Sequence, residues 1–209
     1  MLDRAIGGWR GLIDSGLPAA VFVLAYALTD SQLRPSLIAA VGTGLLIAVV
    51  RLARREPLQQ VLAGLFGVAI SALVARGTGR AEDFFLTGIL INFGYGLAYL
   101  ISILVRWPLM GVIVGYFRGD ASRWRDEPEQ YRAYLTASWI WVGLFGLRLL
   151  VQLPLYLAGS VGMLGAAKLV LGWPPFLLAA YLTYQVIHPV LARASRPVES
   201  GEVEAEASD

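Results

Sequence analysis

The basic residues of this chain are concentrated in every second gap between long apolar runs. A water-soluble core has no use for that alternation. A membrane-inserted chain does, because loops rich in Arg and Lys are retained on the cytoplasmic side. One set of gaps and flanks carries Arg4, Arg10, Arg51, Arg54, Arg55, Arg106, Arg118, Arg123, Arg125, Arg132, Arg193 and Arg196. The other set carries Arg34, Arg76 and Arg80, and Arg148 and Lys168 lie inside apolar runs. Twelve against three predicts an even number of crossings with both termini in the cytoplasm.

Hydrophobic residues make up 57% of the 209 positions, above the roughly 45–50% of soluble domains. The excess falls into six blocks: Gly16–Leu28, Pro35–Leu52, Pro57–Ala75, Asp83–Val105, Tyr134–Leu157 and Val161–Ile187. Crossing the hydrocarbon takes roughly 17–25 helical residues, and the short first block is extended by Gly11–Ser15. The expected fold is therefore all-α, a six-helix transmembrane bundle over residues 16–188. Residues 1–15 are expected to be cytoplasmic or interfacial, with Ile6, Trp9, Ile13 and Leu17 forming an apolar face on the inner leaflet. Residues 189–209 end in the acidic stretch Glu199–Asp209, which has too little apolar content for a core and is expected to be disordered. Ala25-Tyr26-Ala27 has the small-x-small form of a cleavage site, but Asp3 and Asp14 offset the basic flank that a signal peptide needs.

Much chemistry is excluded. There is no cysteine, hence no disulfide and no thiolate metal site. The one histidine, His188, ends the last block beside Pro189, at headgroup level. Gly77-Thr78-Gly79 lacks the downstream Gly-Lys-Ser/Thr of a phosphate loop. No metalloprotease motif, nucleophile elbow or pair of acids at one depth is present, so neither an enzyme nor a cofactor is expected. Nothing indicates nucleic acid.

The segment Trp107–Phe117 is apolar but about half the length of a span, so it is expected to lie in the interface or dip in and return. After it, Asp126, Pro128 and Glu129 form a helix-start signature on the cytoplasmic side. One repeat stands out. Arg55-Glu56-Pro57-Leu58, then Val61, Gly64 and Phe66, matches Arg106-Trp107-Pro108-Leu109, then Val112, Gly115 and Phe117. Rows of small residues, such as Ala40, Gly44 and Ala48, suit close helix packing within the chain or along a homo-oligomer seam.

Inside the spans the costly residues are Arg148 and Lys168, at about 2.5–3.5 kcal/mol each on insertion scales. Gln152 lies one turn from Arg148, and Asn92 sits in the fourth block. The nearest acids are Glu82 and Asp83, at the end of that block. These six form a candidate intramembrane polar cluster. In one reading it is a structural clamp, with Arg148 paired to Glu82 or Asp83 and Lys168 snorkelling. In the other it is a site for an anionic solute or lipid headgroup. Trp173-Pro174-Pro175 is expected to kink the last span and free backbone carbonyls.

The run Leu17-Pro18-x-x-Val21-Phe22 ending at Tyr26, the Arg106-Trp107-Pro108-Leu109 turn, Trp139-x-Trp141-x-Gly143-Leu144-Phe145-x-Leu147-Arg148 and Gln152-Leu153-Pro154-Leu155-Tyr156 together resemble an actinobacterial family of membrane proteins of unknown function. More distantly, span order and the basic-Pro-Leu turn are similar to the intracellular septation protein A family. Arg148 departs from that distant pattern. The resemblance implies a bacterial inner-membrane protein serving cell-envelope maintenance or division, without catalytic residues. Its partners would be the lipid bilayer and envelope or division proteins. The alternative is a small carrier or binding protein for an anionic solute or lipid headgroup.

Overall fold

Each run expected to span is helical in the computed structural model, which describes residues 8–119 and 122–194, with backbone alone at 8–15 and 194. The helices are α1 (Gly8–Leu28), α2 (Leu33–Ala53), α3 (Leu58–Thr78), α4 (Leu86–Leu104), α5 (Leu109–Arg118), α6 (Pro128–Leu157), α7 (Val161–Val170) and α8 (Trp173–Ala194). Two 3-10 turns, Ala81–Phe84 and Arg123–Arg125, precede α4 and α6. Five stretches are long and apolar enough to cross a bilayer, one of them being α7 and α8 taken together, and Gly16–Leu28 is a shorter apolar helix. The protein is an all-α polytopic helical bundle.

Three details differ from the sequence expectation. First, α1 is continuous from Gly8 to Leu28, so its described part begins before the Gly16 boundary of the first block. The side chains proposed for its apolar face before Gly16 lie outside the described residues, as does the acidic tail. Second, the last span is broken at Leu171-Gly172 rather than merely kinked. Third, Asp126 does not cap α6. Its N–H donates to the Arg123 carbonyl and closes the preceding 3-10 turn, while the Glu127 carbonyl accepts the first helical bond from Tyr131.

The sequence repeat is also a repeat of backbone. Arg55 and Arg106 both sit in the left-handed region, at φ 57° and 59°. Glu56 N–H reaches back to the Arg51 carbonyl at 3.1 Å, and Trp107 N–H to the Ser102 carbonyl at 2.8 Å. Each prolyl residue then opens the next helix, Pro57 at φ −56° and Pro108 at φ −53°. This closure satisfies the last carbonyls of one helix and sets the direction of the next.

The helices divide into two compact units. The first holds residues 1–96 and 144–177, the second 97–143 and 178–209. In the first, Phe22 of α1 is fully buried and stacks on Phe84 with centroids 4.2 Å apart. Ala19, Ala40, Ala75 and Leu164 complete that core. Gly44 of the small-residue row lies against Val68, which lets α2 and α3 approach closely. Within lipid, such contacts stabilise by packing, since tails and side chains are equally apolar.

In the second unit, Trp124 of the inter-helix loop is buried among Tyr131, Tyr134, Ala137, Ile187 and Leu191. Its ring lies directly over Gly111 of α5. Ser138 Oγ accepts the Met110 N–H at 3.3 Å, and Ser102 Oγ accepts that of Leu109 at 3.0 Å. The 30 residues of α6 make a helix about 45 Å long, against a hydrocarbon core of about 30 Å. The α5 helix packs against the first half of α6, near Tyr134, Ala137 and Ser138.

Candidate functional site

All six residues of the polar cluster fall in the first unit, but they form two groups rather than one. Arg148 and Gln152 share a face of α6, Asn92 lies on α4, Lys168 on α7, and Glu82 and Asp83 on the 3-10 turn.

Arg148 closes the break in the last span. Its Nε donates to the Leu171 carbonyl at 2.8 Å, Nη2 to the Gly172 carbonyl at 2.5 Å and Nη1 to Asn92 Oδ1 at 3.2 Å. These carbonyls have lost their helical partners because α7 stops there, and lipid offers no donor in exchange. A cation at a helix C-terminus is also favoured by the backbone dipoles. The break needs Gly172, since a Cβ there would meet the Lys168 carbonyl at 2.8 Å. Asn92 Nδ2 donates in turn to Gly88 of its own helix at 2.9 Å, which fixes its oxygen toward Arg148.

Glu82 and Asp83 are engaged elsewhere, so the expected pairing of Arg148 with either acid is corrected. Glu82 holds Arg80 at 2.8 Å. Asp83, buried, accepts the Tyr156 hydroxyl at 2.5 Å. Tyr156 lies on the same α6 face as Arg148 and Gln152 at four-residue spacing, a signal the sequence reading missed. The guanidinium found carbonyls first, because two orphan acceptors near the helix break are closer to its own level.

Lys168 lies against two aromatic rings. Its Nζ lies 5.8 Å from the centroid of the Phe84 ring and 5.6 Å from that of Phe85. Ring faces attract a cation but do not neutralise it.

Between these groups is a cavity of about 650 Å³. Arg148, Lys168, Asn92 and Gln152 supply its polar wall, with Leu17, Phe176 and other apolar groups opposite, and no Asp or Glu lines it. Arg148 is nine residues from the α7 end of α6, or roughly 14 Å, and Leu171 lies roughly 15 Å into the last span. Among the described residues no group of side chains is arranged to hold a metal ion.

The apolar helices fit a multi-pass α-helical membrane protein, and its first unit holds a pocket with a cationic polar wall. Residues 6–194 match the family described as a protein of unknown function, DUF3159, and the chain belongs to that family. No curated protein and no solved structure matches it.

Proposed function

We propose that this protein binds an anionic group, from a solute or a lipid headgroup, at the break in its last span, and acts as a small carrier or binder of it. The observation that carries this reading is the cavity with two cations and no acid in its wall. Discontinuous helices with exposed backbone ends near the midplane are a recurrent way to build such sites. The two cations divide the work. Three donors of Arg148 are used by the break and by Asn92, whereas Lys168 has only ring faces and is available to a ligand.

The test is a thermal-shift titration of the full chain in detergent with inorganic phosphate and, separately, short-chain phosphatidic acid. At a ligand concentration of 100 Kd, binding adds about 2.7 kcal/mol of stability. Lys168→Gln is expected to abolish the shift and Lys168→Arg to keep part of it. A wild type that no anion stabilises would overturn the reading.

The resemblance to the septation protein A family supports cell-envelope maintenance or division as the process served, in an actinobacterial inner membrane, with a second copy or envelope and division proteins as partners. The cation bias supports six crossings with both termini cytoplasmic. Single cysteines at Ser31 and Thr78 are expected to react with an impermeant maleimide in intact cells. Those at Gly119 and Asp126, and at Arg106 before α5, are all expected to be protected. Opposite labelling at 106 and 119 would make α5 a crossing.

A further inference from the structure

A second groove, of about 460 Å³, lies in the other compact unit and is lined by Arg106, Ser122, Arg125, Asp126 and Tyr131. It adjoins α5, whose outward face carries Tyr116 and Phe117 at 83% and 82% exposure, with Val112 and Ile113 beside them. Aromatic rings that exposed on a short helix suit the boundary between headgroups and acyl chains. A lipid headgroup is the occupant that a groove beside such a face favours.

One of its cations, Arg125, is held in place before any ligand arrives. The Arg125 guanidinium stacks over the Trp107 indole, 4.3 Å from the ring centroid, and that indole meets Trp124 edge to face. Arg106 occupies a left-handed backbone position that glycine would fill at lower cost. The same groove presents one carboxylate, Asp126. Among the described residues, neither arginine has a salt bridge to it or to any other acid. Two cations and one acid lining one groove complement a zwitterion, its phosphate on the cations and its ammonium on the acid.

We propose that this groove holds the headgroup of an amine-bearing phospholipid, with its phosphate between Arg106 and Arg125 and its ammonium toward Asp126. A guanidinium pair matches phosphate geometry, and a carboxylate beside it favours a primary ammonium over a neutral glycerol. Choline lacks the N–H donors that Asp126 would accept.

The test is native mass spectrometry of the full chain with phosphatidylethanolamine, phosphatidylglycerol and phosphatidylcholine of one acyl composition. It is run on the wild type and, to remove the contribution of the first unit's cavity, on Lys168→Gln. In both, phosphatidylethanolamine is expected to be retained at least threefold more than the other two. Arg106→Gln with Arg125→Gln is expected to remove that retention, while the doubly lysine-substituted chain keeps most of it. Asp126→Asn is expected to lower phosphatidylethanolamine to the level of phosphatidylglycerol. Equal retention of the three lipids, or a preference that survives the double glutamine change, would overturn the proposal. A preference that survives Asp126→Asn would overturn the ammonium assignment. Loss of preference only in Lys168→Gln would place the lipid in the other cavity and overturn it too.

Discussion

Arg148→Met is expected to lower the stability of the protein in detergent by about 2–4 kcal/mol. Methionine keeps the length of the side chain and its apolar contacts but supplies no donor. The carbonyls of Leu171 and Gly172 then lose the Arg148 donors they have now. A buried acceptor left unpaired costs about 1–3 kcal/mol, and two are affected. Water entering the cavity offsets part of this, as does removal of a charge from the membrane interior. For a chain of this size the midpoint of thermal unfolding is expected to fall by roughly 5–15 °C. Double-mutant cycles identify the cause. Arg148 and Asn92 share a hydrogen bond and are expected to couple by about 0.5–1.5 kcal/mol. Arg148 with Glu82 or Asp83 is expected to couple by less than about 0.5 kcal/mol, because those acids are taken by Arg80 and Tyr156. Strong coupling to either acid would restore the outward ion pair and remove the role assigned to the helix break.

Gly111→Ala is expected to loosen the loop that carries Trp124. The new methyl would lie 2.7–2.9 Å from three atoms of the six-membered ring of Trp124. That ring is 2% exposed and boxed by Tyr131 and Tyr134, so it has little room to retreat. Overpacking of this kind costs about 1–3 kcal/mol. Trp124→Ala would cost more, about 3–5 kcal/mol, by leaving a cavity. Trp124→Phe is the informative partner. The indole Nε1 has no hydrogen-bond acceptor among the described residues, so phenylalanine loses no bond and frees space above residue 111. The Gly111→Ala chain is expected to be cut faster than wild type by trypsin after Arg123 and Arg125, and Trp124→Phe in that background to slow the cutting again. If Trp124→Phe made cleavage faster still, the ring would not be what Gly111 accommodates.

Helix existence was legible because length and apolar content decide it in lipid, and every block proposed from the sequence is helical. The departure in the last span has a physical cause. A Pro-Pro pair announces that a helix cannot be regular, but whether it bends or stops depends on what satisfies the freed carbonyls. Here Arg148, far away in sequence, does so. The cluster was legible as a set of residues too costly to lie in lipid unaided, and its division into two groups was not. Glu82 and Asp83 attracted attention as charges, while their partners include a neighbouring arginine and a tyrosine hydroxyl, and neutral backbone oxygens answer the guanidinium. Charge complementarity alone ranks acids above carbonyls. Depth and the broken helix reverse that order. The turns at Arg55 and Arg106 were visible as a repeated string, whereas their shared left-handed geometry required the backbone.

Those matched turns launch two helices with different fates. After the first, α3 runs 21 residues; after the second, α5 stops at ten, where Arg118 and Gly119 end it. Parity therefore hangs on the shorter copy. An α5 that does not cross would leave the polypeptide on the side it started from and set the sense in which α6 to α8 are threaded. Were α5 extended by about ten apolar residues, it would be long enough to cross, and everything after it would be delivered upside down. The arginine-rich loop would then face the wrong compartment. Arg118 and the left-handed Gly119 behind it end the helix at ten residues, so the length of this one short element bears on the threading of all that follows.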